Sequence, residues 1–145
     1  MMDHDETIER VRRLIEVGIG GNDPAVIDEL MAPDCIEHQR GNQNGTNGAK
    51  GVASTLHRWH SNFSLTVEDV AVAGDIVWTR NRARGVNTGS VMGHPPTGKS
   101  IDLDVIDIVR VRDGVVVEHW GVADQLGMMA QLGLLPSPER RPSTA

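Results

Sequence analysis

Apolar residues recur at intervals of three and four in the first sixty residues of the chain, and this spacing gives a helix one apolar face. Ile8, Val11 and Leu14 show the pattern clearly. A second helix begins where Asp23 serves as a cap and Pro24 fits the first turn. The predicted helices cover residues 5–18, the stretch from Pro24 to Pro33, and 48–60. A short extended segment over 34–39 and a polar loop over 40–47 separate the last two.

After residue 64 the pattern changes to an alternation of apolar and polar residues, which is typical of strands with two different faces. Strands are predicted over 65–72, 75–86, 99–112 and 115–122, and a short helix over 124–132 follows them. Asp113-Gly114 is a strong hairpin signal between the last two strands. The alternation breaks at Val105-Ile106, which predicts a β-bulge there.

A run of helices followed by a run of strands indicates an α+β fold. We predict a curved, cone-shaped sheet, antiparallel or mixed, with about four long strands and one short strand. It would wrap around the N-terminal helices and enclose a deep pocket. The elements predict a single domain over residues 1–135, and three prolines after residue 135 predict a flexible tail over 136–145.

Composition excludes several functions. The net charge of −6 argues against nucleic acid as a partner, because phosphate binding needs clustered Lys and Arg. The single cysteine, Cys35, allows no internal disulfide and fits a reducing compartment. No apolar stretch approaches the ~20 residues that span a bilayer, and no signal peptide is visible. These features predict a cytoplasmic protein that does not bind a membrane.

The densest group of candidate site residues is Glu118-His119-Trp120 with the nearby Asp124, where the last strand gives way to a helix. Asp124 could be a general acid/base whose pKa is raised by burial. It could equally be the N-cap of that helix and accept backbone N–H groups. His119 and Trp120 are adjacent, so they face opposite sides of a strand, and either could line a pocket.

Four other polar residues are candidates for contact with a substrate. His38 ends the first extended segment and either relays a proton or is a satisfied histidine under the polar loop. Arg110 either holds a carboxylate or lies at a solvated rim. Asn81 is on the apolar face of its strand, where an unpaired amide costs roughly 1–3 kcal/mol, so a partner is expected. Asn87 is a substrate contact or a turn residue.

Two side-chain patterns bear on metals and on assembly. His57 and His60 are three apart on the predicted third helix, but no further ligand is near them in sequence, so no metal is predicted. Trp78 shares a strand face with Arg80, Arg82 and Arg84. That face is either a solvated surface or a subunit interface, because Trp and Arg are enriched at interfaces.

Several short motifs occur in a fixed order along the chain. They are Gly74-Asp75, Gly85-Val86-Asn87-Thr88-Gly89, Gly93-His94-Pro95-Pro96-Thr97-Gly98-Lys99, Asp107-Ile108-Val109-Arg110, Asp113-Gly114, Glu118-His119-Trp120, Asp124 and Gln131-Leu132-Gly133. Together they resemble the SnoaL-like polyketide cyclases, within the nuclear transport factor 2-like superfamily. The resemblance covers approximately residues 5–135.

This resemblance implies an α+β cone with an apolar pocket, in which an aromatic polyketide ester closes a ring by an intramolecular aldol reaction without a cofactor. It places the general acid/base on Asp124 and a pocket histidine on His38. The chain differs from the usual family pattern at Asn87, where relatives often have His, and at Ser61-Asn62, where Pro-Asp is common. These differences make the pocket more polar.

We therefore expect a small-molecule enzyme that acts on a polyketide-like substrate, uses no cofactor or metal, and forms a homodimer or a higher homo-oligomer. The expected catalytic residues are Asp124, His38 and Arg110. The expected substrate-binding residues are Trp120, His119, Asn81, Asn87 and Trp59. Two alternatives use the same pocket: epoxide opening or a hydroxylation-associated step in natural-product biosynthesis, and binding of a small molecule without catalysis.

Overall fold

A computed structural model describes residues 2–135, and the tail predicted over 136–145 lies outside the described residues. Four α-helices are α1 (His4–Arg13), α2 (Pro24–Leu30), α3 (Gly45–Trp59) and α4 (Gln125–Gln131). A π-helix, Leu14–Ile19, continues α1. Five strands are β1 (Met31–Glu37), β2 (His60–Ala73), β3 (Ile76–Asn87), β4 (Ser100–Arg112) and β5 (Val115–Ala123).

The five strands form one open sheet in the order β1-β5-β4-β3-β2. The pairs β2–β3, β3–β4 and β4–β5 are antiparallel, whereas β1 is parallel to β5. The sheet is therefore mixed, with four long strands and one shorter strand, and the predicted α+β fold class is confirmed. The N-terminal helices cover one face of this sheet. No helix within residues 2–135 has both the length and the apolar character needed to cross a membrane.

Pro33 lies inside β1 instead of ending α2, because Met31 already has an extended backbone. A proline is tolerated there because β1 is an edge strand, where a missing N–H interrupts few ladder hydrogen bonds. The first predicted helix is correct in position, and the π-helix extends it as far as Ile19.

The bulge predicted at Val105-Ile106 is wrong. The β3–β4 register runs without interruption from Val86↔Ser100 to Ile76↔Arg110. The two apolar residues occur side by side because both faces of β4 carry apolar groups at this point: Ile106 lies on the outer face and is 38% exposed. The register shifts lie elsewhere: in β2, in β5 opposite the end of β4, and between Met31 and Ile36 where β1 pairs with β5.

Two clusters of buried apolar side chains form the core. The first joins α1 and α2 to the strands through residues such as Leu14, Ile27 and Val109. The second lies around Phe63 and Leu132, near α4. Between the helices and the concave face of the sheet is a cavity of about 570 Å³. This volume is in the range of pockets that hold small organic molecules.

Candidate functional site

Three titratable side chains from different strands meet at one side of the cavity. Glu37 is the last residue of β1, His119 is on β5 and Asp107 is on β4. The sheet register brings them together, because Glu37 pairs with His119 and Asp107 pairs with Gly121. All three line the cavity, and their side chains are only 12–16% exposed. We call Glu37, His119 and Asp107 the carboxylate–histidine cluster.

The imidazole of His119 is held between the two carboxylates. Its Nδ1 is 2.7 Å from Oε1 of Glu37, and its Nε2 is 2.7 Å from Oδ1 of Asp107. Both partners are acceptors, so both ring nitrogens donate and the ring is an imidazolium. Burial by itself lowers the pKa of His119, but the hydrogen bonds and negative charges of Asp107 and Glu37 outweigh burial and raise that pKa to about 9.

Further hydrogen bonds fix the two carboxylates. The side-chain amide of Asn81 donates to Oδ2 of Asp107 over 2.7 Å, and the backbone N–H of Gln39 donates to Oε1 of Glu37 over 2.7 Å. Glu37 thus receives donors from two residues and Asp107 receives one donor at each oxygen. Each carboxylate oxygen of Asp107 keeps a lone pair for a further donor or a proton.

Gly121 makes room for the cluster. A Cβ atom at this position would lie 2.9 Å from both Oδ1 of Asp107 and Cε1 of His119, and would overlap the side-chain amide oxygen of Gln39. Real Cβ contacts essentially never come so close, so any other residue here would displace the cluster. The glycine is therefore a requirement of the site geometry.

Apolar and aromatic side chains form most of the remaining cavity wall. Among them are Leu56, Trp59, Phe63, Leu103 and Met128. Among the described residues that line the cavity there is no Lys or Arg, so His119 is the only cationic side chain, and two carboxylates already compensate its charge. The cavity therefore favours a neutral, largely apolar ligand.

Of the residues predicted to form the site, His119 and Trp59 line the cavity. Asn81 is fully buried directly behind Asp107. The expected partner of the Asn81 side chain is the Asp107 carboxylate, which accepts a hydrogen bond from the NH₂ group. The Oδ1 atom of Asn81 has no hydrogen-bond partner among the described residues.

Asp124 is not among the residues that line the cavity. It is the N-cap of α4, exposed to solvent, and its carboxylate accepts the backbone N–H of Gly127 over 2.8 Å. This geometry agrees with the helix-cap interpretation of Asp124. Its predicted catalytic role remains untested and has no support from its position.

His38, Arg110 and Trp120 are on the opposite face of the sheet, so their predicted contact with the cavity is corrected. His38 stacks on Trp120 with ring centroids 4.7 Å apart and binds Glu118 over 2.8 Å. Arg110 pairs with Glu118 and Asp75. The reason is the pleat: Glu37 and His119 face inward, so the residue after each faces outward, and Arg110 follows inward-facing Val109.

Asn87, predicted as a substrate contact or a turn residue, holds neighbouring backbone groups together. It is 1% exposed, and its NH₂ donates to the carbonyl oxygens of Trp59 and Gly89, each over 2.9 Å. Its Oδ1 accepts from the backbone N–H and the hydroxyl of Thr97. Its polar atoms are thus all occupied, and it fixes the excursion between β3 and β4.

Glu37 and Asp107 are not among the residues predicted from the sequence. A signal for Asp107 was present: Leu103, Val105 and Val109 form an apolar face of β4, and Asp107 shares that face. An isolated carboxylate on an apolar strand face is as conspicuous as the Asn81 amide. Glu37 gives no such signal, because its partner His119 follows 82 residues later in the chain.

No group of three or more His, Cys, Asp or Glu side chains within the described part of the chain is arranged to hold a metal ion. In the carboxylate–histidine cluster both nitrogens of His119 are hydrogen-bond donors, so neither offers a lone pair to a metal.

The chain is similar to one family of known proteins and to several individual relatives. The family model for the SnoaL-like polyketide cyclases matches residues 9–132. The aklanonic acid methyl ester cyclase DauD of Streptomyces sp. (strain C5) is 28% identical over 142 residues, which cover 91% of this chain and 85% of DauD.

Two solved structures are similar over nearly their whole length. TsrD of Streptomyces laurentii is 25% identical, with a TM-score of 0.85, and the match covers 93% of this chain and all of TsrD. IdmH of Streptomyces antibioticus, described as a candidate polyketide cyclase, is 33% identical, with a TM-score of 0.79, and the match covers 88% of this chain and 98% of IdmH.

Proposed function

Because the chain belongs to the family of SnoaL-like polyketide cyclases, we propose that it closes a ring in a neutral polyketide ester by an intramolecular aldol reaction. The observation that supports this proposal is the carboxylate–histidine cluster, which places a carboxylate with free lone pairs and a fixed cation at one wall of an apolar cavity. Such a pair suits a reaction in which a proton leaves carbon and negative charge develops on oxygen.

Asp107 is the general base in this mechanism. Its carboxylate removes a proton from a carbon next to a carbonyl group, which leaves an enolate on the substrate and a carboxylic acid on Asp107. The enolate carbon then attacks a ketone carbon of the same molecule, and a carbon–carbon bond forms. The new alkoxide takes back the proton from Asp107, so the enzyme returns to its starting state without a cofactor.

His119 stabilises the charge that moves during these steps. As a largely buried imidazolium hydrogen-bonded to Asp107, it keeps a positive charge next to the enolate and the alkoxide. Glu37 holds the other ring nitrogen and fixes the orientation of the ring. Asn81 holds the second oxygen of Asp107 and fixes the plane of that carboxylate.

The charge of the cavity supports an ester over a free acid as the substrate. The lining has two carboxylates against one imidazolium, and a substrate carboxylate would add a further negative charge at low dielectric without a counter-ion. An ester removes that charge. DauD is named for a methyl ester, which agrees with this argument.

The test compares two aspartates that differ in position but not in chemistry. Asp107→Asn keeps the shape of the side chain but cannot take a proton, so we expect ring closure to slow by about 10²–10⁴-fold, the usual contribution of a general base. Asp124→Asn is the matched control and should retain activity. The substrate is the methyl ester that DauD is named for, and circular dichroism checks that both variants fold.

Undiminished ring closure by Asp107→Asn would overturn the assignment of the base, and strong loss in Asp124→Asn would move that role to the helix cap. Ligand binding without turnover by the unmodified protein would favour the non-catalytic alternative. Epoxide opening has less support, because the described cavity wall has no arginine that could activate an epoxide oxygen.

A further inference from the structure

Aromatic side chains are concentrated at the side of the cavity away from the carboxylate–histidine cluster. The chain has only three Trp, one Phe and no Tyr. Trp59 and Phe63 both line this part of the cavity, together with His60, and Ile101 and Met128 complete the wall. We call Trp59, His60 and Phe63 the aromatic end.

His60 is the chemically unusual member of the aromatic end. It is 1% exposed, and its ring centroid lies 6.4 Å from Trp59 and 5.9 Å from Phe63. Its Nδ1 is 3.3 Å from the carbonyl oxygen of Leu56, a group that only accepts, so Nδ1 bears the ring hydrogen. The other nitrogen, Nε2, is then an acceptor, and it has no partner among the described residues.

Burial lowers the pKa of His60, and the hydrogen bond to Leu56 raises that pKa by less. The net effect favours the neutral imidazole. The fold gains nothing from the lone pair on Nε2, since a buried acceptor without a donor is destabilising. A phenylalanine would fill similar space without that penalty. The Leu56 carbonyl would not be left unpaired either, because it also accepts the backbone N–H of His60.

The aromatic end lies near the start of β4, whereas Asp107 lies in the second half of that strand. The side chain of His60 lies against Gly85, which pairs with Ile101 on β4. Six residues along β4 separate Ile101 from Asp107, or about 20 Å along the strand, and less in a straight line because the sheet curves.

We propose that the aromatic end is a binding subsite for a planar aromatic ring that bears a hydroxyl group, and that the hydroxyl donates its hydrogen to Nε2 of His60. The proposal rests on the proposed function for the location of the reacting atoms, and it adds a substrate feature: a phenolic ring remote from the carbon that loses its proton. His60 lines the cavity, and its Nε2 is a buried acceptor without a partner among the described residues.

The experiment measures binding of two ligands that cannot react: 2-hydroxyanthraquinone and unsubstituted anthraquinone. Quenching of tryptophan fluorescence reports binding, since Trp59 lines the cavity. We expect the unmodified protein to bind the hydroxylated ligand about tenfold more tightly, the value of one hydrogen bond to a buried acceptor. We expect His60→Phe to bind both ligands equally, with the affinity for unsubstituted anthraquinone unchanged.

His57→Phe is the matched control. His57 lies on α3, close to His60 at the start of β2, and packs edge-on against Phe63 at 5.5 Å, but its Nε2 is already bonded to the carbonyl of Gly20 over 2.8 Å. This variant should keep the tenfold preference. If His60→Phe fails to fold, His60→Gln, which retains an acceptor, should keep a measurable part of the preference and His60→Leu should lose it.

Equal binding of the two ligands by the unmodified protein, or an unchanged preference in His60→Phe, would overturn the proposal. Asp107→Asn separates it from the proposed function: we expect this variant to lose ring closure and to keep the ligand preference. Loss of the preference in His60→Phe, with ring closure by the unmodified protein absent, would support the subsite and reject the cyclase.

Discussion

His119 shows how the neighbours of one residue decide its chemistry. His38 and His119 each contact a glutamate from the neighbouring strand, yet only His119 has a carboxylate at both ring nitrogens and lies inside the cavity. His38 has one partner and a face open to solvent. A histidine between two buried carboxylates is held as a cation, and its proton becomes part of the stability of the fold.

We predict that the free energy of unfolding falls as the pH rises from about 6.5 to about 9. The pKa of His119 is about 9 in the folded protein and close to 6.5 in the unfolded chain, so the folded state binds the extra proton in this interval. The stabilisation is complete below pH 6.5 and is lost above the folded pKa, with roughly 3 kcal/mol as the upper limit. Urea unfolding at several pH values measures it.

His119→Gln should remove this pH dependence and also lower stability at neutral pH, because two buried carboxylates lose their counter-charge. His38→Gln, on the outer face, is the control and should keep the slope of the unmodified protein. A slope that persists in His119→Gln would show that another group titrates in this interval.

The position of the site in the molecule is determined by the order and pairing of the strands. Periodicity predicted α1, α3 and the four long strands, because each has a regular face against the core. The alternation also assigned Asn81 correctly to the inner face. Arg110 lies on the outer face with Ile106 because β4 has no bulge before it, and the predicted catalytic role of Arg110 stays a prediction without support from this position.

The cluster itself could not be predicted from local pattern. Its three residues come from β1, β4 and β5, and the pairing of β1 with β5 is a tertiary feature that no local spacing encodes. The Asp124 position was predicted correctly as the start of a helix, but a helix start is also where an exposed cap is expected. Spacing alone does not separate those two roles.

Two glycines in different elements should respond in opposite ways to alanine. Gly121 in β5 has no room for a Cβ, so Gly121→Ala should slow ring closure by more than about tenfold and lower the Tm. A Cβ added to Gly51, inside α3, would have no atom within 4 Å, so Gly51→Ala should raise stability by about 0.5–1 kcal/mol. Thermal unfolding measures both, and a stabilised Gly121→Ala would contradict the packing described around the cluster.

On the scale of the whole molecule, the two faces of the sheet differ in where their arginines lie. The outer face pairs Arg80 and Arg82 with aspartates such as Asp104. On the inner face no arginine or lysine lines the cavity among the described residues. Trp78 and Val122 on the outer face are 49% and 70% exposed, and the predicted homodimer remains a prediction for that surface.

This distribution predicts selectivity by charge. A polyketide methyl ester should bind at least about tenfold more tightly than the corresponding free acid, because the acid brings an anion toward Glu37 and Asp107 without a free cation to receive it. Titration calorimetry at neutral pH with the two forms of one compound measures the ratio. Equal affinities would mean that the acid group stays in solvent, outside the cavity.

The parallel pairing of β1 with β5 also has a consequence for how the chain folds. Glu37 and His119 are 82 positions apart, so the strand pair that completes the site closes one of the longest loops in the molecule. Such contacts cost the most chain entropy and form slowly. During synthesis the antiparallel strands β2 to β4 can pair before β5 leaves the ribosome, with Asp107 still lacking its imidazolium. We therefore expect the site to be assembled last, when β1 docks against β5.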